Sequence, residues 1–159
     1  MRIRVGMGYD VHRLVEGRDL WLGGIRLEHP KGLLGHSDAD VLIHAICDAL
    51  LGAANLRDIG FHFPDTKDEF HNVDSKILLR ETVLLLRKKG YVIGNIDVTV
   101  CAEHPKLNTH ISKMKECLAP LMEVTVDDIS IKATTTEKLG FTGREEGISA
   151  YAVTLIEKV

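Results

Sequence analysis

SKILLRETVLLLRKKGYVIGNIDVTVC, residues 75–101, decides the fold, because one hydrophobic pattern gives way to another inside it. The spacing predicts a helix over 75–89 that closes on Lys88, Lys89 and Gly90, a basic last turn followed by a glycine stop. From Tyr91 to Cys101 the residues read as a strand. Downstream the same reading gives a helix over 110–122 and strands over 129–134 and 148–157. Helices and strands therefore alternate through the second half. That order predicts an α/β (α+β) two-layer sandwich, a mixed β-sheet with helices on one face in a ferredoxin-like arrangement.

Upstream, residues 3–11 alternate apolar and polar in the manner of a half-buried strand, and 20–27, broken by Gly23 and Gly24, suggest a hairpin or bulged ribbon. Over 38–54 the residues Val41, Leu42, Ala45, Ile46, Ala49 and Leu50 recur at helical spacing, with Ser37 or Asp38 placed as the cap and His44 and Asp48 sharing a face. Residues 56–73 show no period and hold Gly60, Pro64 and several aspartates, so they are expected to form a long functional loop. Without repeats, low-complexity tracts or a linker, residues 1–159 are expected to form one domain.

Hydrophobic residues make up 45% of the chain and charged residues 27%, which suits a globular core, while 5% aromatic residues make that core aliphatic. A net charge of −3 leaves no electrostatic footprint for nucleic acid or an anionic membrane. Cys47, Cys101 and Cys117 form no CxxC pair, which argues against a disulfide framework or a thiolate zinc site. No signal peptide, transit peptide or membrane span is legible, and the chain reads as soluble and cytoplasmic. The 8 histidines stand out, because imidazole is both a common metal ligand and the acid–base group of neutral pH.

Asp10 and His12, two apart on a strand, project from the same face. With His44 from the following helix they would form an Asp/His/His set of the kind zinc accepts, although on spacing alone Asp10 as a turn cap and His44 as a core histidine is the plainer reading. Gly35-His36-Ser37-Asp38-Ala39 resembles a nucleophile elbow, yet residues 31–34 are too short to be the buried parallel strand that an elbow needs. A turn that offers Ser37 and backbone amides to a phosphate at a helix N-terminus fits better, beside a plain N-cap role. In ATTTEKLGFTGREEG, residues 133–147, hydroxyls, Lys138 and Arg144 can surround an anion while Glu137 holds a divalent cation against it, and Thr134 and Glu137 also fit a capping box. Ala102 to Leu107, stiffened by Pro105, can read a base through main-chain groups or be a simple surface turn. Neither a Walker A motif nor a complete dinucleotide fingerprint is present.

Taken together, DVH at 10–12, HSDAD at 36–40, DIG and FPDT within 58–66, and KATTTEKLGFTGREEG from Lys132 closely resemble the family of 2-C-methyl-D-erythritol 2,4-cyclodiphosphate synthase, in its order and nearly end to end. The resemblance implies the non-mevalonate isoprenoid pathway and closure of 4-diphosphocytidyl-2-C-methyl-D-erythritol 2-phosphate to the cyclic diphosphate with loss of CMP. It implies Zn2+ held by Asp10, His12 and His44, and Mg2+ or Mn2+ at Glu137 beside the diphosphate. His36 and Thr135 correspond to positions that stabilise the transition state, and His36 and Ser37 to phosphate contacts. Substrate contacts are further implied at Asp10, His12, Asp58, Ile59, Gly60, Phe63, Pro64, Asp65, Thr66 and Lys67. Ala102, Pro105, Lys106, Leu107, Ala133 and Thr134 correspond to the cytidine pocket, and further substrate contacts are implied at Thr135, Thr136, Glu137, Phe141 and Arg144. Phe141 and Arg144 resemble residues at a trimer axis, where the family forms a homotrimer with active sites shared between neighbours.

Departures from the family pattern are Ala39, where glycine is frequent, and His104 and Asn108 in the cytidine loop. Two other classes remain as readings. A cytidine-diphosphate-binding module would have no need of Asp10, His12 and His44 together, and a serine hydrolase would need a base at Ser37.

Overall fold

The computed structural model describes residues 2–159. Its frame is a five-stranded sheet of order β4-β1-β7-β5-β6, built from β1 (Ile3–Glu16), β4 (Lys31–Leu33), β5 (Tyr91–Cys101), β6 (Ile129–Thr134) and β7 (Gly147–Lys158). Strand β1 runs antiparallel to β7 from Ile3 opposite Glu157 to Arg13 opposite Gly147, and β7 pairs antiparallel with β5 on its other side. Strands β5 and β6 are parallel, as a crossover through α4 (Ile111–Met122) requires. Helix α1 (Val41–Ala53) lies on β1 and β7, α3 (Ser75–Lys88) packs beside α1, and α4 packs on α3 and β6. The mixed sheet with its helical layer is the predicted class. The interior is aliphatic, with Leu42, Ile43, Ile46, Leu50, Leu79, Leu86 and Ile96 fully buried. Among the described residues no helix is long and apolar enough to cross a membrane.

Strand β1 alternates as predicted, but in the opposite sense. Ile3, Val5, Met7, Tyr9 and Val11 are exposed, while Gly6 and Gly8 face α1. Glycine decides the side: a Cβ on Gly6 would lie 2.0 Å from the Ala49 carbonyl oxygen, so α1 can approach only the face that lacks side chains.

The cap of α1 is neither Ser37 nor Asp38 but Asp40, whose Oδ1 accepts from the Ile43 N–H at 3.1 Å. The same fully buried carboxylate accepts from the Gly23 and Gly24 N–H groups at 3.0 and 2.7 Å. Those two glycines, at φ 63° and 80°, form the two-residue turn between β2 (Leu20–Leu22) and β3 (Ile25–Leu27). The predicted 20–27 feature is thus a hairpin, and Asp40 ties it to the helix start. Ala39 sits at φ 58°, a backbone conformation that explains why glycine suits this position.

The expected loop over 56–73 contains α2 (Ile59–His62) and a 3-10 turn at Asp68–Phe70. Strand β4 is three residues long and antiparallel to β1. The parallel strand required by a nucleophile elbow is therefore absent from the approach to Ser37.

Candidate metal centre and cleft

Because Gly6 and Gly8 bring α1 onto β1, His44 on the first turns of that helix meets Asp10 and His12, which continue the glycine face of the strand. Asp10 Oδ2 lies 2.9 Å from His12 Nε2 and 3.0 Å from His44 Nδ1, and the two ring nitrogens are 3.2 Å apart. One ligand atom from each residue falls within 4.8 Å of the other two. His12 Nδ1 donates to the Leu34 carbonyl oxygen at 2.9 Å, which leaves the Nε2 lone pair of the neutral ring directed at this point. Two imidazole nitrogens and a carboxylate oxygen on one spot are a donor set that fits zinc with a position left open. Burial alone would push the Asp10 carboxyl up, but hydrogen bonds and charge from His12 and His44 outweigh it and hold the group well below the usual carboxylate range. Burial works against the charged form of His12, yet the hydrogen bond that only the protonated ring can donate from Nε2 to Asp10 raises it overall.

This trio lines a cavity of about 330 Å³. Of the predicted residues, His36, Ser37, Ile59, Gly60, Phe63 and Asp65 also line it, together with Phe70, Val73 and Leu78, which the sequence did not single out. Phe70 meets Phe63 edge to face, with ring centroids 5.6 Å apart. Asp58 caps α2 by accepting from the Phe61 N–H at 2.9 Å. Pro64, Thr66 and Lys67 do not line the cavity: the Lys67 N–H bonds the Pro64 carbonyl at 3.2 Å, and the Lys67 carbonyl is 3.4 Å from His36 Nε2.

A separate cavity of about 210 Å³ collects Ala102, Pro105, Lys106, Leu107, Asn108, Ala133, Thr134 and Thr135. Its walls are tied together by the Ala102 N–H, which donates to the Thr134 carbonyl at 3.0 Å. The predicted capping box at Thr134 and Glu137 is not formed, since Glu137 and Lys138 adopt φ of 53° and 63° and no helix starts there. Glu103 holds that turn instead, accepting from the N–H groups of Thr136 and Lys138 at 3.0 and 3.2 Å. Glu137 Oε1 lies 3.5 Å from Thr135 Oγ1, and Glu137 stands outside the Asp10, His12 and His44 group. Phe141 lines another hollow with Val11, His12 and Arg13, while Arg144 makes a two-pronged ion pair with Glu146. Of the departures noted above, His104 Nδ1 bonds Glu145 at 3.0 Å.

Comparison with known proteins places the chain. The YgbB family model matches residues 3–157. The 2-C-methyl-D-erythritol 2,4-cyclodiphosphate synthase of Bacteroides thetaiotaomicron is 73% identical over 158 residues, covering 99% of each chain. Among solved structures, the bifunctional IspDF of Campylobacter jejuni superposes with a TM-score of 0.96 at 41% identity, over 99% of this chain and 43% of that larger one. The CDP complex of IspF from Plasmodium falciparum gives a TM-score of 0.86 at 36% identity, over 98% of this chain and 96% of that one.

Proposed function

The chain belongs to the YgbB family, and from that membership we propose how its cleft carries out the family's reaction. The protein is a cyclodiphosphate synthase of the non-mevalonate isoprenoid pathway, which cyclises 4-diphosphocytidyl-2-C-methyl-D-erythritol 2-phosphate and releases CMP. An oxygen of the substrate's own 2-phosphate attacks the β-phosphorus, and the bond from that phosphorus to the bridging oxygen of CMP breaks. The protein therefore supplies positioning and charge compensation instead of a nucleophile.

Asp10, His12 and His44 hold Zn2+, and Glu137 holds Mg2+ or Mn2+. Bound there, the ions supply Lewis-acid contacts that offset phosphate charge. His36 and Ser37, on the loop before α1, contact the phosphate that attacks, and His36 and Thr135 donate to oxygens on which charge develops. Asp58 and Gly60 meet the ribose, while Phe63 and Asp65 meet the methylerythritol moiety. The 210 Å³ cavity between Ala102–Leu107 and Ala133–Thr135 takes the cytosine, with Lys106 beside it.

The zinc-side and cytidine-side residues line separate cavities of one subunit, which supports a site completed between neighbours. An apolar surface for that assembly is present: Ile3, Val5, Met7, Tyr9 and Val11 with Tyr151 and Val153 make an exposed sheet face, on which the Tyr9 and Tyr151 rings stand 4.9 Å apart. A homotrimer of one synthase domain per chain would cover it.

The convergence of Asp10 Oδ2, His12 Nε2 and His44 Nδ1 carries this reading. A second reading has one observation in its favour, since Ser37 Oγ lies 3.2 Å from His44 Nε2 and His44 reaches Asp10, the order of a hydrolase triad. His44 Nε2 is nearer to Ser75 Oγ, at 2.9 Å, and no parallel strand presents Ser37. The test is CMP release from the diphosphocytidyl substrate beside hydrolysis of an activated ester, with zinc measured on protein purified without chelator. CMP release with about one zinc per subunit is expected. Ester turnover without CMP release would replace this reading with the second.

A further inference from the structure

We propose that Ser75 and Asp38 are positioning residues that fix the tautomer of His44 and so aim its Nδ1 lone pair at the metal. The inference rests on the metal reading above and adds two residues that it does not use. Ser75 opens α3 and is fully buried, and its Oγ lies 2.9 Å from His44 Nε2. Its hydroxyl proton is already committed to Asp38 Oδ1. Asp38 is an acceptor throughout, receiving the Ser75 N–H on Oδ2 at 3.0 Å and the Asp40 N–H on Oδ1 at 3.1 Å.

The direction of the chain follows from hydrogen bookkeeping. A carboxylate has no proton to give, so Ser75 must donate to Asp38. With its proton spent, Ser75 can only accept from His44, which requires hydrogen on Nε2. The Asp10 carboxylate, 3.0 Å from Nδ1, favours hydrogen on that atom instead, so Ser75 and Asp38 supply the opposing pull that keeps hydrogen on Nε2 and frees the Nδ1 lone pair for a metal. A carboxylate that orients a ligating histidine is a recurrent device, and here a serine extends its reach. Ser37 Oγ, at 3.2 Å, lies on the same nitrogen and already accepts from the Ala39 N–H at 3.1 Å, so Nε2–H has a weaker second acceptor. The arrangement also closes the ligand onto the phosphate loop, because the Asp38 N–H donates to the Val73 carbonyl at 3.1 Å and the Asn72 N–H to the His36 carbonyl at 2.7 Å.

The test uses the full chain, metal-stripped and zinc-loaded, as unaltered protein, Ser75→Ala and Asp38→Asn. Nitrogen-15 NMR of the metal-free protein is expected to show His44 as the Nε2–H tautomer, with Nδ1–H gaining population in both variants. Zinc affinity, read by competition with a chromophoric chelator, is expected to fall about 10–100-fold in the variants. The tautomer is a readout that loosened packing alone would not shift, and Asp38→Asn carries the test if Ser75→Ala fails to fold. An Nδ1–H tautomer in the unaltered protein, or zinc affinity unchanged in both variants, overturns the proposal alone. Failure of the unaltered protein to bind zinc overturns the metal reading and this inference with it.

Discussion

Gly8 on β1 and Ala45 on α1 meet backbone against backbone, so that a Cβ on Gly8 would lie 2.0 Å from the Ala45 carbonyl oxygen. His44 adjoins one of these residues and Asp10 lies two positions beyond the other, so the contact sets the separation of the metal ligands. Gly8→Ala is expected to cost about 1–3 kcal/mol of stability through overpacking and to weaken zinc binding at the same time. Urea unfolding and chelator competition measure the two effects. Loss of stability with unchanged zinc affinity would show that the helix spacing does not control the site.

Glu137→Gln and Thr135→Ala are expected to slow the chemical step on the order of 100-fold or more, because in the proposed site each would remove an electrostatic contact at the diphosphate. CDP affinity is expected to change far less for Thr135→Ala. Single-turnover CMP release and CDP titration separate the two. Weak CDP binding with a normal chemical step would move Thr135 from the reacting centre to the base pocket.

The proposed sharing of the site between subunits makes a complementation experiment decisive. His44→Ala and Thr135→Ala proteins, each nearly inactive, are expected to regain part of the activity when their subunits are exchanged, since some clefts then combine two intact halves. A complete lack of rescue after exchange has been verified by mass spectrometry would count against sharing. A monomer by light scattering would also rule it out.

Acid sensitivity should register one surface pair. Lys132 Nζ lies 2.6 Å from both carboxylate oxygens of Asp97, and that hydrogen bond holds the Asp97 carboxyl below its usual range. A folded-state value below the unfolded one means stability that is present above about pH 3.9 and lost as pH falls through the folded value. The pair is about half exposed, so Asp97→Asn is expected to cost less than about 1 kcal/mol at neutral pH. That difference should shrink to nothing in acid, as pH-dependent melting would record. A gap that widens on acidification would reverse the assigned sign.

What could be read in the sequence was local. Asp10 and His12 were legible because two residues on a strand share a face, and α3 followed by β5 because the hydrophobic period changes within one segment. The inverted face of β1 was hidden: alternation gives a period of two but not which side a helix takes, and Gly6 and Gly8 decide it only through contact with α1. Ser37, Asp38 and Asp40 are all capping residue types within four positions, and the choice fell to Asp40 because the distant Gly23 and Gly24 amides share its carboxylate. Ser75 reaches Asp38 across 37 positions and Glu103 reaches Thr136 across 33. Pairings of that separation leave no periodic trace, so the residues that support the site were harder to find than those that form it.

The buried carboxylate of Asp40 has one more effect. By holding Gly24 at 2.7 Å it closes the chain between them into a ring, and His36 and Ser37 lie on that ring close to its fastened end. Closure of that ring limits the backbone freedom of this stretch when the protein folds, before any ligand arrives. A phosphate group held there as proposed would lose less free energy to loop ordering, which would leave more of its binding energy for distinguishing the transition state from the ground state.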